Sequence, residues 1–219
     1  MARSSNAVPL HVLLTASASL TAMSRQVLIS EVERIWRHEQ VSIQWAQSAH
    51  TIERPNGPLR VLVISHPRAA RLPGKWPVAE LFPEAEPGAF AIASIDSAAR
   101  VVDEAARSAQ LDAYTPREYR LGLVLGRAVA HEIGHFLLAT GTHADSGLMR
   151  ASIDAREFAG AGGETFRLDR NASEWLRQRL VTQEAAVAGR HAGSFSYADK
   201  PANERVAVQD RLLPPTPPR

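Results

Sequence analysis

The chain contains no cysteine, which excludes disulfides, thiolate metal sites, iron–sulfur clusters and cysteine nucleophiles together. Any transition metal would have to be held by His, Asp or Glu. Long hydrophobic runs are also missing. No uninterrupted apolar stretch approaches the roughly 20 residues that cross a bilayer, so no transmembrane segment is expected. Charge of one sign is lacking too: 25 Lys and Arg face 23 Asp and Glu, for a net +2, and the signs are intermixed. No basic run is long enough to track a phosphate backbone, and a nucleic-acid partner is not expected.

What is present is a core. Apolar residues make up 45% of the 219 positions, enough for one domain of ordinary size with or without a tail. Val8 to Thr15 reads as a buried strand. The same stretch has the look of a weak signal-peptide core, but His11 interrupts it and a helix follows at once. The strand reading favours a cytoplasmic protein slightly over a secreted one, and the compartment stays open. From Thr21 to His38, Val27, Leu28, Val32, Ile35 and Trp36 fall at helical spacing against a charged opposite face. Val41–Trp45 and Leu59–Ser65 read as strands, and the Pro- and Gly-dense stretch from His66 to Gly88 as an irregular loop. Ala89–Ile95 is a further strand, followed by a helix from Ser97 to about Gln110.

The clearest helix start is Thr115-Pro-Arg-Glu118, a capping box with proline at the first helical position. The helix is expected to run to about Thr140, where Gly141 offers a stop. It is apolar on most sides and belongs at the centre of the fold. Gly122 and Gly126, four apart, would let a neighbour approach closely; Arg117, Arg120, Arg127, His131 and Glu132 rule out a membrane reading of that pair. A short helix near Asp154–Ala159, a turn at Gly160–Gly163 and a last helix from Asn171 to Ala188 follow, the last with Trp175, Leu176 and Leu180 on its apolar side. Asn171-Ala-Ser173 fits a glycosylation sequon, but fits a helix N-terminus with Glu174 better. Residues 1–188 are thus expected to form one domain, and 189–219, ending in Leu-Pro-Pro-Thr-Pro-Pro-Arg, a disordered Pro-rich tail.

The chemistry concentrates in His131-Glu-Ile-Gly-His135, an H-E-x-x-H pattern. Residues i and i+4 share a helix face, so both imidazoles can reach one ion. Zinc takes nitrogen ligands and keeps a position open for water in catalytic sites. The intervening Glu132 would then take a proton from that water and pass it on. Val124, Ala128, His131, His135 and Leu138 share one face of the helix, and burying those imidazoles without a partner would be costly. A third ligand is needed. His143, just past Gly141, and Asp145 are the nearest, with Glu157, Glu164 and Glu174 as a different plan. His11, His38, His50, His66 and His191 have no ligand spacing. Ser94, Asp96 and Ser97 are the raw material of a hydrolase triad, but no G-x-S-x-G elbow accompanies them.

The stretch His131 to His143, followed by Ala-Asp-Ser-Gly-Leu-Met149, resembles the metzincin clan of zinc metallopeptidases, and Met149-Arg-Ala with Phe166 and a closing helix resembles the matrixin-like bacterial proteins within it. The clan pattern is H-E-x-x-H-x-x-G-x-x-H with a methionine turn beneath the metal. Here the distance from His135 to His143 is two residues longer, Leu138 stands at the glycine position, and Gly141 is expected to do the turning. The resemblance implies His131, His135 and His143 as zinc ligands, Glu132 as general base and Met149 as the turn methionine. It also implies an α/β zincin-like fold: a twisted, mostly parallel sheet, a central H-E-x-x-H helix and a smaller helical C-terminal part, with Ala89–Ile95 near the sheet edge. The implied activity is hydrolysis of peptide or protein substrates. The alternative is a metal-binding regulatory or sensor protein on the same fold that cleaves little. Oligomeric state is not legible.

Overall fold

The computed structural model describes residues 7–46, 59–65, 77–83, 88–107 and 114–194, with side chains through 182. The chain divides into two compact units, Met1–Leu176 and Arg177–Arg219. The first holds the sheet and the histidine motif. In the second, the described residues are helical through Ser194, so the helix outruns the expected end at Ala188. Residues 195–219, most of the expected tail, lie outside the described residues, as do His50 and His66.

The elements are β1 (Val8–Ala16), α1 (Ala22–Arg37), β2 (Val41–Ala46), β3 (Leu59–Ile64), β4 (Ala79–Phe82), β5 (Phe90–Ser94), α2 (Ile95–Arg107), α3 (Arg117–Leu138), α4 (Ala155–Ala159) and α5 (Arg170–Ser194). The five strands form one sheet in the order β2-β1-β3-β5-β4. β1 pairs parallel with β2 and β3, and β3 parallel with β5, while β4 runs antiparallel to β5. The mostly parallel sheet agrees with the expected α/β class. It differs at its rim: the outermost strand is β4, and β5 lies one place inside it. β4 escaped the sequence reading because it is four residues long, bounded by Pro77 and Pro83, inside a stretch rich in Pro and Gly.

Val12, Leu14, Val61, Val63, Ala91 and Ala93 are buried, and the strand register places them on one face of the sheet. α3 is the core helix: every residue from Arg120 to Ala130 is buried. By length and hydropathy it is the one described helix that could cross a membrane, but 78% of its apolar window is buried inside the protein. It crosses α1 at the two glycines singled out from the sequence. A Cβ on Gly122 would lie 2.6 Å from Val27 Cβ, and one on Gly126 would lie 2.9 Å from Glu31 Cβ and Leu28 O. Only glycine allows this approach.

Helix ends depart from the sequence expectation in three places. Pro116, not Thr115, is the N-cap of α3, with no side-chain cap bond. There the Glu118 carbonyl accepts instead from Ser24 Oγ of α1 at 2.8 Å, so tertiary contact anchors the helix start. α3 stops at Leu138 rather than Thr140, because Ala139 takes the left-handed conformation (φ 49°, ψ 46°). α5 is capped by Asp169, whose carboxylate accepts from Ala172 N–H at 2.8 Å, rather than by Asn171. The sequon hydroxyl of Ser173 is buried and donates to Glu39 at 3.0 Å, which supports the helical reading of that segment. Trp175 is 54% exposed, not part of an apolar face.

A large ion cluster underlies α3. Glu31 Oε1 accepts from Arg127 Nε at 2.7 Å, and Arg34 makes two further bonds to the same carboxylate at 2.7 and 3.0 Å. The Arg127 and Glu31 side chains are 1% and 6% exposed. Burial pushes the Glu31 carboxyl up, but the hydrogen bonds and charges of Arg34 and Arg127 outweigh it, and the net shift is downward. Arg127 also stacks over Phe166, 4.2 Å from the ring centroid. From the sequence, Arg127 had no evident partner, because Glu31 lies 96 residues away.

Candidate metal centre

Three histidines converge at the C-terminal end of α3. One ring nitrogen from each of His131, His135 and His143 lies within 4.8 Å of the others. This is the one cluster of metal-ligating side chains among the described residues. Asp145, Glu157, Glu164 and Glu174 are not in it: Glu157 pairs with Arg150 and Glu164 with Arg167. His11 and His38 are also apart from it. Ser94 Oγ accepts from Ser97 N–H at the start of α2, and Asp96 accepts from Ser65 Oγ, so these groups serve a helix end rather than a triad.

The orientation of the first two rings is fixed by the backbone. His131 Nδ1 lies 2.8 Å from Leu148 O, and His135 Nδ1 lies 2.7 Å from Thr140 O. A carbonyl only accepts, so both Nδ1 atoms carry the proton. Burial, the largest influence, lowers the pKa of His131 to about 4, and it lowers that of His135 as well. Both rings are therefore neutral near pH 7. Their Nε2 atoms face one another at 3.0 Å, and each presents a lone pair with no proton to share. Such a pair is satisfied by a cation placed between them, and the outward Nδ1–H to carbonyl bonds are the supports that metal-bound imidazoles use. His143 completes the group from a loop, its ring centroid 5.3 Å from that of His131 and 4.9 Å from that of His135. It is exposed.

Glu132, which follows His131 in the chain, is 7% exposed. Burial pushes its carboxyl up to about 7; a hydrogen bond from the Leu81 backbone N–H opposes the shift and the charge of Glu80 adds to it. The origin of that bond is the sheet edge. Val78 O accepts from Ser94 N–H at 2.8 Å, so alternate residues of β4 bond to β5, and Leu81 turns its polar groups to the open side. The acid therefore bridges α3 and the edge strand.

Two residues beneath the cluster set its floor. Met149 is 2% exposed and packs against Gly134, where an added Cβ would overlap its Sδ. The glycine inside the motif was not singled out from the sequence; only the buried methionine shows why it is there. The chain turn assigned in advance to Gly141 is made by Ala139 instead. Gly141 has open space around it, while Thr140 N–H bonds back to His135 O at 3.3 Å. From α5, Trp175 Nε1 donates to Leu138 O at 3.3 Å and ties down the last turn of α3.

Fold and site together define a mixed, mostly parallel α/β protein with a three-histidine cluster that could hold a metal ion, two of the rings on its core helix and the third on the loop after it. No family model and no curated protein matches the chain. Among solved structures it is similar to archaemetzincin from Methanopyrus kandleri, with 14% identity, coverage of 82% of this chain and 98% of that one, and a TM-score of 0.49. It is also similar to a zinc-dependent peptidase from Methanocorpusculum labreanum, with 13% identity, coverage of 76% and 99%, and a TM-score of 0.46.

Proposed function

We propose that this protein is a zinc-dependent metallopeptidase, with His131, His135 and His143 holding the ion and Glu132 acting as general base. The observation that carries the reading is the pair of unprotonated Nε2 atoms 3.0 Å apart, each ring locked by a carbonyl on its far side. Two nitrogens bound at about 2.0–2.1 Å to one tetrahedral zinc sit roughly 3.3 Å apart. The rings need to give only a few tenths of an ångström. The all-imidazole donor set suits zinc, and the chain has no thiolate to offer a softer metal.

When bound, zinc supplies Lewis-acid polarisation of a carbonyl and acidifies water. The remaining work belongs to the chain. The Glu132 carboxylate accepts a proton from the attacking water and returns it to the leaving amine. In the metal-free protein burial pushes this carboxyl up to about 7; the charge of a bound ion would lower it and favour the carboxylate, the form that accepts a proton. Among the described residues no strand pairs with the outer side of β4, so the Ala79 backbone and the Leu81 carbonyl provide groups against which an extended peptide can lie as an added strand. The substrate class is therefore a peptide or protein.

Native mass spectrometry combined with a peptide-library digest tests the proposal. The wild type should carry one zinc per chain and cleave. Glu132→Gln should keep the zinc and lose activity by about 10²–10⁴-fold. Wild-type turnover by Glu132→Gln, or no zinc in the reconstituted protein, would overturn it. Zinc without cleavage would transfer support to a metal-binding regulatory role.

A further inference from the structure

A ring of contacts leaves α3 one helical turn before the first histidine and returns to that histidine. Arg127, His131 and His135 lie four residues apart, on one stripe of α3. Arg127 Nη1 donates to the carbonyls of Glu157, Phe158 and Gly160 at 3.0, 2.8 and 2.9 Å, and Nη2 to that of Gly162 at 2.8 Å. This clamp fixes α4 and the glycine turn after it. The Glu157 side chain is then taken by the two terminal nitrogens of Arg150. Arg150 in turn donates from Nε to Gly147 O at 3.1 Å. Gly147 has φ 73° and precedes Leu148, whose N–H donates to Arg167 O at 2.6 Å. The Leu148 carbonyl closes the ring by accepting from His131 Nδ1.

The two ends of this ring are unequally buried. Arg127 is buried and held by Glu31, whereas Arg150 and Glu157 are 23% and 29% exposed. The loop from His143 to Arg150 has little regular structure of its own, one bridge between Ala144 and Arg150. Backbone bonds from Ala144 N–H to Met149 O at 2.8 Å and from Leu148 N–H to Arg167 O hold the segment on either side of the Leu148 carbonyl, and Arg150 is the side chain that fixes the Gly147–Leu148 peptide leading into it. We propose that Arg150, anchored by Glu157, is a positioning residue that aims the Leu148 carbonyl at His131 Nδ1 and so presents His131 Nε2 to the metal. The inference rests on the zinc-site reading for its consequence, but not for its mechanism: the tautomer of His131 is set in the metal-free protein as well.

The test uses the full chain. Long-range proton–nitrogen NMR of the zinc-free protein should show His131 as the Nδ1–H tautomer in the wild type and as a mixture in Arg150→Gln and Glu157→Gln. Competition with a chromogenic chelator should show zinc bound about tenfold more weakly by both variants, the lower end of what removing an outer-shell partner costs. Circular dichroism melting of the zinc-free forms separates this from general damage. Should Arg150→Gln not fold, Arg150→Lys keeps a charge pair with Glu157 while removing the Nε donor to Gly147, and the same tautomer mixture is expected. An unchanged Nδ1–H tautomer in folded variants would overturn the positioning role. If the wild type bound no zinc, the peptidase proposal would fall, while the tautomer comparison would still decide this one.

Discussion

The histidine cluster is built in two halves of different character. His131 and His135 stand on a core helix, and each ring is braced by a backbone carbonyl within 2.8 Å. His143 arrives on an exposed loop after a left-handed turn at Ala139, and no hydrogen bond to its ring is found among the described residues. Under the proposed zinc reading the first half is pre-organised for the ion, while the exposed His143 ring would lose the most side-chain freedom on binding it. Affinity gained from a preset pair is not reduced by ordering costs, while a free loop ligand pays rotamer and backbone entropy on binding. If the zinc reading holds, the difference implies a division of labour in which the helix pair sets the position of the ion and His143 completes its coordination.

The helix half depends on the ion cluster beneath it, and the largest effect is expected there. Glu31→Ala would leave Arg127 buried without its carboxylate partner, a loss of about 3–5 kcal/mol in folding stability, measured by urea denaturation. The pH dependence follows from the same pair. The folded-state pKa of Glu31 lies below its ordinary value, so its stabilisation is fully present above the unfolded carboxyl value of about 4.3. It is lost as pH falls through the lowered folded value. Denaturation midpoints taken from pH 6 downward should fall less steeply in Glu31→Gln than in the wild type. A variant as stable as wild type would show that the core helix stands without this support.

The two halves are compared directly by removing one histidine from each. Structural zinc sites release about 10–16 kcal/mol with four ligands, roughly 3 kcal/mol per ligand or about a hundredfold in affinity. His131→Ala should lose at least that much, because it removes a braced ligand. His143→Ala should lose less, since the ordering cost of its loop disappears with it. Chelator competition gives both numbers. Equal losses would erase the distinction between preset and recruited ligands.

Much of the helix half was legible in the sequence, because its information is local. The i, i+4 spacing of His131 and His135, the apolar surroundings and the glycine pair 122 and 126 are all periodic signals within α3. The loop half was less legible. Its third histidine was favoured over Asp145 for its place just past Gly141 and for its donor chemistry, since no fixed spacing ties a loop ligand to the helix pair; the turn was assigned to Gly141 because glycine is the usual left-handed residue, whereas Ala139 takes that conformation. β4 was missed because four residues between prolines carry no readable period. The partners of Arg127, Arg150 and Gly134 depend on contacts between distant segments, which no local pattern encodes.

Gly134 is the point where the halves meet, since the methionine that follows the loop packs into the gap it leaves. Gly134→Ala gains helix propensity of about 1 kcal/mol, but its Cβ would overlap Met149 Sδ. Overpacking of this kind costs about 1–3 kcal/mol, so the net change should be a loss of up to about 2 kcal/mol, seen in thermal melts. Met149→Ala itself empties a buried site and costs about 2–5 kcal/mol, so the comparison is made in that background, where adding Gly134→Ala should raise stability by the propensity gain of about 1 kcal/mol. If the double variant recovered nothing, the contact between motif and methionine would not be what constrains position 134.

The smallest effect is expected at the junction itself. Ala139 holds φ 49° and ψ 46°, a conformation that costs a residue with a Cβ about 1–2 kcal/mol and that glycine adopts freely. Its N–H bonds to the carbonyls of His135 and Phe136, so the turn is a working helix stop in spite of the residue type. Ala139→Gly should relieve the strain, at the cost of a more flexible unfolded chain, for a net gain of up to about 1 kcal/mol. For the metal the expectation has the opposite sign. A glycine there loosens the connection between Leu138 and His143, so zinc affinity should fall slightly, by about twofold, even as the apoprotein melts higher. Parallel melts and chelator titrations would reveal such a split, which would mean that the strained alanine limits where the loop histidine can go. If stability and affinity rose together, the turn would be strained without steering the third histidine.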